Sequence, residues 1–272
     1  MSIKPKIYLK SLLFKHLERL LAKGKFLNLF QNSESLMSSA KFFFVSRFIL
    51  TSHASLQDSL ISVAMFSKSQ FAQDLFALSS VSFKKNGYFV EFGATDGLEF
   101  SNTYLLEKHY AWSGILAEPA RIWHSSLSVN RKAQIEKCAV DAVSGQIVEF
   151  AEGKSTVLSG LVKSLNAGTA ISDVYEISTI SLNDLLDKYS APKHIDYMSI
   201  DTEGSELQIL ENFSFLHYSF SVITVEHNNR EDRFRIKQIL ESNGYHCVHE
   251  NLCEIEYWFV SSPIFKKFFT VS

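Results

Sequence analysis

From residue 88 onward, short apolar runs alternate with longer stretches of helical periodicity, and this alternation constrains the fold more than any other feature of the chain. The runs fall at 88–92, 114–117, 135–140, 195–200 and 221–225. Runs this short and this uniformly apolar fit strands covered on both faces, as in a parallel sheet built from βαβ units. The final part breaks the pattern. Residues 245–249 and 254–261 are strand-like and joined by a short polar link, which predicts an antiparallel hairpin closing one sheet edge. Upstream, residues 55–81 read as helix, with Leu60, Val63, Ala64, Phe71, Leu75 and Phe76 as core positions, before Asn86-Gly87 marks a turn.

Charge divides the chain differently. Residues 1–53 hold nine Lys/Arg and two Glu, a net of +7, whereas the remainder holds 18 Lys/Arg and 27 Asp/Glu, a net of −9. Leu9, Leu13, Leu17, Leu20 and Leu21 share one helical face opposite Lys15, Arg19 and Lys23, with Gly24 as a stop. This predicts a basic, largely helical arm over 1–53 and an α/β domain over 54–272. Such an arm packs on its own domain or a partner, or lies on an anionic membrane surface. The acidic body argues against nucleic acid as a partner, because phosphate binding calls for a basic face. Cys138, Cys247 and Cys253 show no metal-ligand spacing and form no even set, which fits a reducing cytoplasm. No secretory leader and no run of about 20 apolar residues is present, so the expected location is cytoplasmic, with peripheral contact at the inner face of a membrane through the arm.

The most informative local segment is Phe89-Val90-Glu91-Phe92-Gly93-Ala94-Thr95-Asp96-Gly97. A buried strand runs into a loop with glycines four apart, and Ser101 is placed to cap the helix that follows. A dinucleotide site needs G-x-G-x-x-G, whose middle glycine lets the backbone approach a pyrophosphate. Thr95 stands in that place. A ligand without a pyrophosphate makes no such demand. Glu91 adds to this, since a carboxylate at the strand end repels phosphate but suits a cationic sulfonium ligand with an ammonium group, and Asp96 offers the same charge.

The second strand ends in Glu118-Pro119, 27 residues after Glu91. An acidic residue at this strand end in a nucleoside-binding sheet accepts hydrogen bonds from both ribose hydroxyls, and Pro119 turns the chain out of the ladder. Small residues around Ala139 could line a flat adenine slot. Further on, residues 195–200 lead into Asp201-Thr202-Glu203-Gly204-Ser205-Glu206. A helix-dipole preference accounts for Glu206 but not for Asp201, which precedes the turn.

Taken together, Ser69 to Asp74, Gly87 to Gly97, Ser101-Asn102-Thr103, Glu118-Pro119 and 195–206 resemble the FkbM-type methyltransferases over roughly residues 66–262. The resemblance implies a Rossmann-like class I fold: a mostly parallel seven-stranded sheet with a C-terminal antiparallel hairpin, here with a helical N-terminal extension. It implies S-adenosylmethionine as cofactor, with Glu91, Gly93, Ala94, Asp96 and Gly97 contacting it and Glu118 on its ribose. Asp201, Glu203 and Gly204 would line the reacting end. It also implies O-methylation of a hydroxyl on a sugar, glycan or glycolipid, or a related small molecule.

Methyl transfer to oxygen needs positioning and a base. The candidates are Asp201, Glu203 and His227, the last in Val225-Glu226-His227-Asn228 at the end of the fifth run. Alternatively, Asp201 or Glu203 could join Glu226 and His227 around Mg²⁺; the sequence fixes no ligand geometry, and no residue is assigned to a metal. Two rival readings are a nicotinamide oxidoreductase and a catalytically silent methyltransferase-like binding module.

Overall fold

The structure is a computed structural model that describes residues 39–269 apart from 156–157, 166–168 and 253–254. The predicted helix over Leu9 to Leu21, its stop at Gly24 and the thiol of Cys253 lie outside the described residues. By internal contacts the chain divides into two units at Ser67/Lys68. In the first, helices α1 (Ser39–Thr51) and α2 (Ala54–Val63) are followed by a short 3₁₀ turn, Ala64–Phe66. Among the described residues, no helix is long and apolar enough to cross a membrane.

The second unit opens with α3 (Gln73–Ser80), so the helix expected over 55–81 is broken between Phe66 and Gln73. The Asp74 carboxylate accepts the Lys68 N–H at 3.0 Å and the Ser69 hydroxyl at 2.6 Å, holding 68–69 out of helical geometry. Ser69 then bridges to Phe100.

Next come β1 (Tyr88–Phe92), α4 (Tyr104–Tyr110), β2 (Ser113–Ala117), α5 (His124–Asn130), β3 (Gln134–Glu136), β4 (Ala139–Val140), β5 (Ile147–Gly153), β6 (Gly160–Leu161) and β7 (Ile171–Ile180). They are followed by α6 (Leu182–Lys188), β8 (His194–Ile200), α7 (Glu206–Glu211), β9 (Ser219–Glu226), α8 (Arg233–Ser242), β10 (Tyr245–Val248), β11 (Glu256–Ser261) and α9 (Ser262–Phe268).

The main sheet has seven strands in the order β10-β11-β9-β8-β1-β2-β3. Neighbours from β3 through β9 are parallel, with Val90 opposite Ile115 on one side and Met198 on the other. β11 runs antiparallel to β9 and β10, so the expected C-terminal hairpin is present, with its second strand inserted against the body of the sheet. Val90, Ile115, Met198 and Ile223 are fully buried, which is why these runs read as continuously apolar. From β1 the chain builds outward through β2 and β3, then returns to the other side of β1 with β8. That reversal leaves a crevice at the carboxyl ends of β1 and β8, where open α/β sheets bind ligands.

The run at 135–140 is not one strand. Glu136 Oε1 accepts the N–H groups of Lys137 and Cys138 at 2.8 and 2.9 Å, and this turn separates β3 from β4. β4 belongs to a second sheet of four strands, β4-β7-β5-β6, which the sequence pattern did not announce. β5 pairs antiparallel with β7 from Ile147↔Ser178 onward, and Ala139, Phe150 and Leu161 of this sheet form a small core with Ala120.

Candidate active site

The loop after β1 is shaped by two glycines that meet different neighbours. Gly93 has φ +76°, and a Cβ there would lie 2.2 Å from the carbonyl oxygen of Asp201, so only glycine lets this loop pass the end of β8. Gly97 has φ +74°, and a Cβ would meet Arg131 Cγ at 2.5 Å and Leu127 Cδ1 at 2.6 Å. Asp96 closes the loop on itself: its Oδ1 accepts the N–H groups of Leu98 and Glu99 at 2.8 and 2.9 Å.

Glu91 is buried beneath this loop. Its carboxylate accepts the Asn102 N–H at 2.6 Å, the Ser101 hydroxyl at 3.2 Å and the Thr103 hydroxyl, while Arg131 Nη1 stands 3.7 Å away. Burial raises the Glu91 pKa; the nearby guanidinium and these donors oppose the rise. The charge expected to meet a cationic ligand is therefore already compensated from within. The sequence reading gave Arg131 no role. It is 4% exposed and ties the loop together through Gly97 O (3.1 Å), Ser101 Oγ (2.9 Å), Thr103 Oγ1 (2.8 Å) and Glu107 Oε2 (2.9 Å). Ser101 accepts the first N–H of α4, from Tyr104, at 3.1 Å, although Thr103 occupies the N-cap position itself.

Glu118 leaves the end of β2 with each carboxylate oxygen fixed by a backbone N–H, Oε2 by Thr95 at 2.7 Å and Oε1 by Ala120 at 2.8 Å. Burial pushes its pKa up to about 7 against the pull of those two donors. Trp123, Ala139 and Phe150 form the wall alongside.

At the far end stand Asp201, Glu203 and Glu226, each offering a carboxylate oxygen within 4.8 Å of the others. Burial and the neighbouring carboxylates raise the pKa values of both Asp201 and Glu226. Burial, then the Asp201 charge, pushes Glu203 up to about 7. Glu203 adopts a left-handed backbone, φ +59°, a strained conformation of the kind found at functional turns. Glu206 does different work: its Oε1 accepts the N–H groups of Thr202 and Gly204 and the Thr202 hydroxyl, with Arg230 at 3.9 Å, so it holds the turn.

His227, the third candidate base, is not among the residues that line the cavity, whereas Glu226, the last residue of β9, and Asn228 are. Its Nδ1 accepts the Asn229 N–H at 3.1 Å and its ring lies 4.2 Å from that of Tyr257. Burial lowers its pKa to about 4.

One cavity of about 300 Å³ joins these parts. Of the residues expected around the cofactor, Glu91, Gly93, Glu118, Ala139 and Asp201 line it, whereas Ala94, Asp96 and Gly97 lie outside the wall and shape the loop. Among the described residues the wall contains no Lys, Arg or His. Paired acceptor oxygens on Glu118, aromatic and small side chains beside it, and carboxylates opposite suit a nucleoside that carries positive charge and no phosphate.

A family model described as the methyltransferase FkbM domain matches residues 91–247. No curated protein sequence matches the chain. Among solved structures, the chain is similar to a precorrin-6y C5,15-methyltransferase from Geobacter metallireducens, with 12% identity, 66% of this chain and 76% of the other covered, and a TM-score of 0.38. A fibrillarin pre-rRNA processing protein from Methanococcus jannaschii gives 11%, 66% and 68%, with a TM-score of 0.34. A SAM-dependent methyltransferase from Aquifex aeolicus gives 8%, 73% and 95%, with a TM-score of 0.32.

Proposed function

Since the chain belongs to the FkbM-domain methyltransferases and so uses S-adenosylmethionine, we propose that it methylates a hydroxyl oxygen of a sugar, glycan or related small molecule. The observation that supports this most is the single cavity reaching from Glu118 past Gly93 to Asp201, across the carboxyl ends of β2, β1 and β8. In this reading Glu118 accepts the ribose hydroxyls, and the small and aromatic residues Ala139, Trp123 and Phe150 flank the adenine. Glu91 works one step back, holding the loop in place through Ser101, Asn102 and Thr103.

When bound, S-adenosylmethionine supplies a methyl group on a positively charged sulfur. Asp201 and Glu203 would hold and orient the acceptor hydroxyl towards that methyl group. The proton lost from the hydroxyl as its oxygen becomes an ether passes to one of these carboxylates. The carboxylates of the described wall, which holds no Lys, Arg or His, disfavour an acceptor whose reacting part is anionic. In the same reading the enzyme works in the cytoplasm, and the +7 arm over 1–53 docks on the anionic inner face of a membrane that carries a glycolipid acceptor.

The test is methyl transfer from labelled S-adenosylmethionine to a panel of neutral sugars, amino sugars and glycolipids, with the product linkage read by NMR. A methyl ether is expected. A methylamine product would overturn the oxygen assignment, and a folded protein that does not bind S-adenosylmethionine would mark a silent binding module.

A further inference from the structure

The turn between β8 and α7 and the end of β9 gather Asp201, Glu203 and Glu226 into one trio of oxygens within 4.8 Å. Among the described residues, no other group of His, Cys, Asp and Glu is gathered in this way. No cationic side chain of the described wall balances it. Arg230, whose guanidinium reaches this turn, is engaged with Glu206 and with the carbonyls of Ser164 and Glu203. A second observation is independent of the carboxylates. Ser205 follows the motif directly, stands in the same cavity wall, is 1% exposed, and its Oγ has no hydrogen-bond partner among the described residues. Buried hydroxyls are normally paired, so this oxygen points to a ligand beside it.

We propose that Asp201, Glu203 and Glu226, in the wall that also holds the unpartnered Ser205 Oγ, bind one hard divalent cation of the Mg²⁺ class at the acceptor end of the cavity. The donor set is all oxygen, which such cations prefer and softer metals do not. A cation with oxygens at about 2.1–2.5 Å spans ligands up to about 4.2–5 Å apart, which matches the trio as it stands. Asn228 Nδ2 donates to Glu226 Oε2 at 2.6 Å and fixes that carboxylate's orientation, as the outer partner of a metal ligand does. Charge closes as well: three carboxylates offset one divalent cation and one sulfonium. The inference rests on the methyltransferase reading of this cavity and adds how the acceptor is held. The cation would take the hydroxyl as a further ligand and make it more acidic, and the proton released would pass to a carboxylate oxygen of Asp201 or Glu203 that is not bound to the cation.

The experiment uses the full-length protein and Mn²⁺ as probe, with free Mn²⁺ followed by electron paramagnetic resonance and S-adenosylmethionine binding followed in parallel by calorimetry. One Mn²⁺ per chain is expected, displaced by Mg²⁺. Glu226→Gln and Glu203→Gln should each weaken it at least about tenfold while retaining cofactor binding, and Glu211→Gln, on the surface, should leave it unchanged. A wild-type protein that binds S-adenosylmethionine but shows no saturable Mn²⁺ binding overturns the cation site alone, as does Mn²⁺ bound equally by both cavity variants. Mn²⁺ binding lost in those variants, in a protein that ignores S-adenosylmethionine, upholds the cation site and removes the methyltransferase reading.

Discussion

Replacing Arg131 by Met removes the one cation, among the described residues, that pairs with both Glu91 and Glu107, whose side chains are 3% and 7% exposed. At 3.7 Å and an effective dielectric of about 20, the Arg131–Glu91 attraction alone is about 4.5 kcal/mol. The guanidinium also donates to Gly97 O, Ser101 Oγ, Thr103 Oγ1 and Glu107 Oε2. Against this stands the recovered cost of burying the guanidinium, so the net loss should be about 3–5 kcal/mol, as when one partner of a buried pair is deleted. Urea unfolding at neutral pH measures it. The sign with pH is specific. Burial already raises the Glu91 pKa against the pull of Arg131, and removing that cation raises it further. A carboxyl whose folded pKa exceeds its unfolded value contributes stability at low pH that is lost as pH rises through the folded value. The variant's deficit should therefore shrink towards pH 5 and be largest above neutrality. Adding Glu91→Gln to Arg131→Met should recover part of the loss. A single variant within about 1 kcal/mol of wild type, with a pH-independent difference, would refute the argument.

Gly93→Ala drives a methyl group to 2.2 Å from Asp201 O at φ +76°; S-adenosylmethionine affinity by calorimetry should fall at least about tenfold, through the steric overlap and the left-handed backbone. With Glu118 raised by burial to about 7, affinity should climb between about pH 6 and pH 8 as the carboxylate ionises, and Glu118→Gln should weaken binding and flatten that profile. By the same linkage, thermal melts of the ligand-free protein should show stability falling from pH 4.5 towards 7, since the folded state holds the Glu118 proton longer. Asp201→Asn should cut turnover about 10²-fold or more and His227→Gln by less than about threefold; equal losses in initial rate would sink the assignment of the cavity-facing side.

The parts of the molecule that could be read from the chain are those in which one physical pattern acts alone. β1, β8 and β9 are buried on both faces, so their apolar runs stand out, and the residues that end them, together with Glu118 at the end of β2, fall at the crevice by topology. Where a side chain redirects the backbone, the pattern misled. Glu136 turning back on Lys137 and Cys138 divides one apparent strand into two sheets, and Asp74 gripping Lys68 and Ser69 interrupts a helix whose periodicity continues across the gap. Strands β5 and β7 carry exposed polar and apolar residues in mixed order, leaving no alternation to detect. His227 follows the end of β9 and Asn228 has φ +45°, so strand parity is no guide to which of these side chains meets the cavity. Arg131 gave no local signal, because its partners Glu91, Gly97, Ser101, Thr103 and Glu107 lie 24 to 40 positions upstream.

The four-stranded sheet contributes Ala139, Val140, Phe150 and Leu161 to the cavity wall, yet its strands pair as strands only with one another. Its loops and lining side chains can change in size and shape without disturbing the seven-strand register that sets Glu118 and Asp201. Selection for a new acceptor therefore has a stretch to work on, Leu158 to Leu161, that is distinct from the residues proposed to flank the adenine. Chimeras that exchange residues 158–165 between relatives are the natural way to transplant selectivity.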